Sequence, residues 1–173
     1  MSQLADIYIE LQKFPFDIMV SLDQPGTDHV GLFARESLTE YFDCHMHLMG
    51  PFSSPREYLP ANIQLTLDLI VREECYSNRV IDAFLIHRFL LDSASMILSC
   101  HGPDDKRFYL KHADDKGDHI HVDEDYNITG ILDWEWVHTD SKSVAFNSPV
   151  MLLPVADFYD GANQLGEDEL IFA

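Results

Sequence analysis

The chain has 173 residues, enough for one domain with a sizeable core, and its 46% apolar and 12% aromatic content is that of a folded protein. A net charge of −19 argues against nucleic acid or an anionic membrane surface as partner, since both require a basic footprint. Cys44, Cys75 and Cys100 are odd in number and widely spaced, Met1 to Glu10 has no basic leader, and no apolar run approaches the ~20 residues of a membrane helix. The expectation is a reduced, cytoplasmic protein.

Ser2 to Lys13 has Leu4, Ile7, Tyr8 and Leu11 at helical spacing, with Ser2 as a cap and Pro15 as the stop. Phe16 to Leu22 alternates as a short strand does. Asp23-Gln24-Pro25-Gly26 then reads as a turn and Val30 to Ala34 as the returning strand. Arg35 to Ser53 looks irregular. Its Cys44-His45-Met46-His47 invites a metal reading, but these side chains cannot all face one way and no second ligand cluster is suitably spaced.

Ser54-Pro55-Arg56-Glu57 has the composition of a helix start, with Ser as N-cap and Glu three residues later. Pro60 is expected to break that helix after its first turn. Ile63, Leu67, Ile70 and Glu74 trace one face beyond it, widened by Leu65 and Leu69. A further helix, capped by Ser77 or Asn78, would present Val80, Ile81, Phe84, Leu85, Leu91 and Leu98 as a broad apolar face. The two helices read as antiparallel partners supplying most of the core, with His87 and Arg88 in structural or solvent-edge positions.

Phe108 to Trp136 reads as strand, acidic loop, strand, turn, strand and acidic end. His119 to Val122 alternates, Asp123 to Asn127 is turn chemistry, and Ile128 to Leu132 is an apolar run ending at Asp133. With the turn centred on Asp125, residues whose numbers sum to about 250 face each other, so His119 is expected opposite Ile131 and Asp133 beside Gly117. That would put Asp114 and Asp133 at one end of one hairpin. Clustered carboxylates there are either a solvated acidic loop or a grip on a divalent cation carrying phosphate oxygens.

Val137 to Ser143 reads as polar loop, and Pro149 and Pro154 exclude one long helix over Ala145 to Phe158. Tyr159-Asp160-Gly161 turns the chain, and Glu167 to Ala173 is an acidic tail. The order of elements suggests an α+β fold. It divides into a mainly helical part (1–106), the hairpin (107–137) and a C-terminal tail (138–173).

His112-x-Asp114, His119 and Leu132-Asp133-Trp134-Glu135 resemble the catalytic loop (H-x-D-x-x-x-x-N) and metal segment (I-D-W-E) of aminoglycoside phosphotransferases. The wording KHADDKGDHIHVDEDYNITGILDWEW, followed by AFNSPVMLLPVADFYDG, is similar to the fungal branch of that protein-kinase-like family, over its C-terminal lobe only. The resemblance implies ATP-dependent phosphoryl transfer to a small-molecule hydroxyl, the acceptor being a cationic amino sugar or another hydroxyl compound. By motif, Asp114 would accept or orient the hydroxyl proton, His112 would brace the loop, Lys116 would meet phosphate oxygens, and Asp133 would hold magnesium. Glu135 would be structural or would support the metal ligands.

His119 stands where the family has a metal-ligating Asn, and imidazole suits magnesium poorly. The chain also has no Gly-rich phosphate loop and no V-A-I-K-like strand, so an N-terminal lobe or a partner chain is expected to be missing and activity to be weak or absent. A non-catalytic lobe that binds a small molecule or a protein is the alternative. A third reading, an iron facial triad of His112, Asp114 and His138, belongs to a different class of enzyme.

Overall fold

The computed structural model describes residues 2–22, 30–33, 45, 47–100, 106–114, 116–154, 156–157 and 160–161. It is a mixed helix-and-strand, α+β arrangement: α1 (Ser2–Leu11), α2 (Pro55–Val71), α3 (Val80–Cys100), β1 (Phe108–Lys111), β2 (Ile120–Val122), β3 (Ile128–Ile131), β4 (His138–Ser141) and a short α4 (Lys142–Ala145). The turn expected at Asp23–Gly26 and the acidic tail lie outside the described residues, as do Cys44, Met46 and Ala34.

α2 starts at Pro55 as expected, but Ser54 makes no side-chain cap. Glu57 instead reaches back to Ser53, accepting from its backbone N–H and its hydroxyl at 2.8 Å each. These bonds hold the Glu57 carboxyl below its ordinary value. Pro60 does not break the helix, which runs unbroken through it to Val71. The donor it lacks falls just past the first turn, where only one helical bond is forfeited.

The α2–α3 pair is antiparallel and encloses a cluster of Ile63, Leu67 and Ala94, flanked by Leu59 and Leu91. Among the described residues of α3, Ala83 and Ala94 are buried. On α3 the contact with α2 runs through Leu91 and Ala94, and the Leu98 carbonyl accepts from the Arg56 guanidinium at 3.3 Å. The expected broad face is corrected accordingly: Val80, Leu91 and Leu98 are half-buried, whereas Ile81, Phe84 and Leu85 face out.

The second cluster joins Met19, Phe33, Phe52, Tyr58 and Phe108 from separate stretches, with the Phe33 ring 4.7 Å from Tyr58 and 6.1 Å from Phe52. The helix pair therefore supplies one of two core clusters among the described residues. β1 pairs antiparallel with β4, Phe108 opposite Ser141 and Lys111 opposite His138. Among the described residues the 16–22 stretch forms isolated antiparallel bridges in place of a continuous strand, Phe16 to Phe108, Met19 to Phe52, Ser21 to His138 and Leu22 to Val30, the last where the returning strand is expected.

The expected polar loop at Val137–Ser143 is thus replaced over most of its length by β4, whose His138, Thr139 and Asp140 are buried. Thr139 explains how a polar strand sits inside. Its Oγ1 accepts from the Val20 N–H at 2.9 Å and donates to the Ile18 carbonyl at 2.8 Å. Buried polar atoms that find partners cost little.

Candidate functional site

The β2–β3 hairpin forms where the sequence places it, with one correction to its register. Ile120 faces Ile131 and His121 faces Gly130, while Val122 faces Ile128. A bulge between His121 and Val122 shifts the pairing by one residue, so that the His119 carbonyl accepts from the Leu132 N–H at 2.9 Å. His119 consequently lies opposite Leu132, one step from the expected Ile131. At the tip, Asp123 Oδ1 accepts from the backbone N–H groups of Asp125 (3.0 Å) and Asn127 (2.8 Å), closing an Asx-type turn.

α1 lies against this hairpin. Gln3 Oε1 accepts from the Ile128 N–H at 2.7 Å, and the Gln3 amide donates to Asn127 Oδ1 at 3.4 Å. Leu4, Tyr8 and Leu11 of the same helix line a small cavity of about 10 Å³ with His112, His119, Trp134 and Met151. That space is at the lower limit for one water, so it is a packing seam and not a ligand site.

The two histidines of the loop are buried and stacked, their ring centroids 4.2 Å apart and their planes 17° from parallel. Trp134 meets His112 edge-on at 4.8 Å. His112 Nε2 donates to the Leu132 carbonyl at 2.8 Å, and Trp134 Nε1 donates to the Ile131 carbonyl at 2.8 Å. These bonds clamp the strand end that carries Asp133, whose backbone is left-handed at φ 64°. For a residue with a Cβ that conformation is sparsely populated, and such positions cluster at functional sites.

Of the expected site residues, the structure joins His112 to His119 by stacking and Asp114 to Lys116 by an ion pair of 2.8 Å. Asp114 is part-buried, while Lys116 and Asp133 are exposed. Gly117 is required between them. Its φ is +99°, and an added Cβ would lie 2.7 Å from Met151 Sδ.

Among the described residues, no three His, Cys, Asp or Glu side chains are grouped to hold a metal ion. The iron-triad reading is therefore corrected, because His138 packs its ring 4.9 Å from Phe33 and donates from Nδ1 to the Trp136 carbonyl at 3.1 Å. Magnesium commonly takes one or two carboxylates and completes its shell with phosphate and water. Asp133 fits that requirement as an exposed hard-oxygen donor on a clamped backbone. His119, a nitrogen donor buried in the stack, fits it poorly.

Sequence reasoning missed Gln3, β4 and an open groove of about 590 Å³ beside the acidic end. The groove is lined by Ile18, Val20, Leu32, Leu48 and Trp136, with Glu135 as the charged residue among the described ones. Among the described residues no helix is long and apolar enough to cross a membrane. No protein-family model matches the chain, and neither the curated proteins nor the solved structures yield a match.

Proposed function

We propose that the chain is a kinase-like phosphotransferase lobe, built for ATP-dependent phosphoryl transfer to a small-molecule hydroxyl and weak or inactive by itself. One observation carries the reading: the His112–Leu132 hydrogen bond of 2.8 Å ties the segment bearing Asp114 to the segment bearing Asp133. A base and a phosphate-metal ligand must be held in one frame for such a transfer, whose catalysis is mostly positioning and charge neutralisation.

Asp114 orients the acceptor hydroxyl and takes its proton as the new oxygen–phosphorus bond forms and the phosphoanhydride bond breaks. Lys116, now on Asp114, is near enough in sequence to turn toward phosphate oxygens. Magnesium, when bound, would neutralise phosphate charge, and Asp133 is the residue to hold it. The groove beside Glu135 and Trp136 suits an acceptor with an apolar body and a cationic group, since a carboxylate and an indole face both attract ammonium.

The test is calorimetric titration with Mg·ATP, alongside a coupled ATP-consumption assay over amino sugars and amino alcohols. Weak Mg·ATP binding, lost in Asp133→Asn and kept in Asp114→Asn, with little or no turnover, is the expected result. Absence of binding at millimolar Mg·ATP overturns it. Turnover abolished by Asp114→Asn would establish a complete enzyme and overturn the expectation of inactivity.

A second reading, a non-catalytic lobe, is favoured by the Asp114–Lys116 ion pair, which occupies the base. Under it, Asp133→Asn as well as Asp114→Asn leaves every ligand titration unchanged.

A further inference from the structure

α3 leaves a long apolar face outside. Ile81 is 75% exposed and Phe89 68%, and Leu85, Ile86 and Met96 are each more than half exposed. They lie on the side of the helix away from α2, which packs against Leu91 and Ala94. Five such side chains amount to on the order of 500 Å², as large as the whole of the biggest apolar patch on a typical monomer.

Charge indicates the occupant. The chain carries −19 overall, yet α3 holds only Asp82, Arg88 and Asp92, and Arg88 is bidentate on Asp92 at 2.7 and 3.2 Å. A basic partner would be drawn to the acidic remainder of the surface, not to this face. An isologous contact instead needs a patch complementary to itself, and an apolar face whose helix carries a net charge of only −1 lets two chains of this charge meet with little repulsion.

We infer that α3 is the docking face for a second copy of this chain, the two helices crossing antiparallel about a two-fold axis near Leu90. That crossing sets Leu85 of one copy against Met96 of the other. It also brings the two Arg88–Asp92 pairs together, so that each guanidinium reaches both carboxylates. Phe89 of each copy sits at the centre, where truncation costs most in interfaces of this kind. The dimer depends on no assignment of the hairpin residues.

The experiment is light scattering coupled to size exclusion and sedimentation equilibrium on the whole chain, up to on the order of 100 µM. The wild type is expected to be a dimer dissociating in the micromolar range. Phe89→Glu should weaken it at least tenfold while the helical circular dichroism stays unchanged. Arg88→Asp alone should weaken it too, by gathering four carboxylates at the axis, and Arg88→Asp with Asp92→Arg should restore it.

A wild-type monomer throughout that range overturns the inference, as does a dimer indifferent to Phe89→Glu. A monomer whose α3 amides resist hydrogen exchange would mean that another part of the same chain covers the face, which overturns it equally. Should Phe89→Glu fail to fold, the charge-swap pair decides alone.

Discussion

His112 and His119 stack ring on ring at 4.2 Å, and their contact closes the two ends of the acidic loop upon each other. The loop is therefore shaped by packing among imidazoles, Trp134 and α1. An Asn at position 119, which the resembled motif would have, has neither the ring area nor the shape to fill that seam. His119→Asn should destabilise the fold by about 1–3 kcal/mol, the range of buried-contact losses. In a chain of this size each kcal/mol lowers Tm by about 2–4 °C. Calorimetric scans of the two proteins check this, and an unchanged Tm would show that the stack contributes nothing.

Asp133 holds φ 64° because the carbonyls on either side of Leu132 are pinned by His112 and Trp134. Glycine adopts that conformation without strain. Asp133→Gly should leave stability equal or raise it by up to about 1 kcal/mol, since the relieved strain exceeds the added freedom of the unfolded chain. The same substitution should abolish any Mg·ATP binding. Chemical denaturation and calorimetric titration measure the two effects separately; a loss of stability above 1 kcal/mol would locate the aspartate in the scaffold instead of the site.

The hairpin was legible because its turn chemistry and β-branched run are local signals. Its register missed by one because a bulge at His121/Val122 leaves no sequence mark in a strand of alternating character. β4 was illegible for a different reason. His138-Thr139-Asp140 looks like a surface loop, and its burial depends on partners more than a hundred residues away, Ile18 and Val20. On α3 the spacing gave the helix and part of its inward side, Val80, Leu91 and Leu98, but not Ala83 and Ala94, the small residues that are buried most deeply. The site residues were nameable from resemblance, yet the stack joining His112 to His119 is a tertiary fact that no spacing encodes.

Thr139 offers a sharp test of the buried polar strand. Thr139→Val keeps the shape and removes the hydroxyl that receives the Val20 N–H and donates to the Ile18 carbonyl. The Val20 N–H then loses its partner in a buried place and the Ile18 carbonyl in a part-buried one, and an orphaned buried donor or acceptor costs about 1–3 kcal/mol. Thr139→Val should therefore lose roughly 2–4 kcal/mol, and Thr139→Ser, which keeps the hydroxyl, about 1 kcal/mol or less. Equal losses for the two in urea melts would show that the methyl group, and not the hydrogen bonds, holds the strand.

Asp123 gives the hairpin a pH dependence of known sign. The Asn127 backbone and side-chain N–H groups, and after them the Asp125 N–H, hold its carboxyl below the ordinary Asp value. A depressed folded-state pKa means that the charged form is favoured by folding. Its contribution is fully present above the unfolded pKa of about 3.9 and is lost as pH falls through the lower folded value. Following the Asp123 carboxyl carbon by NMR should give a midpoint below that of an unstructured peptide. Asp123→Asn keeps an acceptor for the turn but cannot titrate. Its hairpin amides should therefore stay protected at acid pH, where those of the wild type begin to exchange.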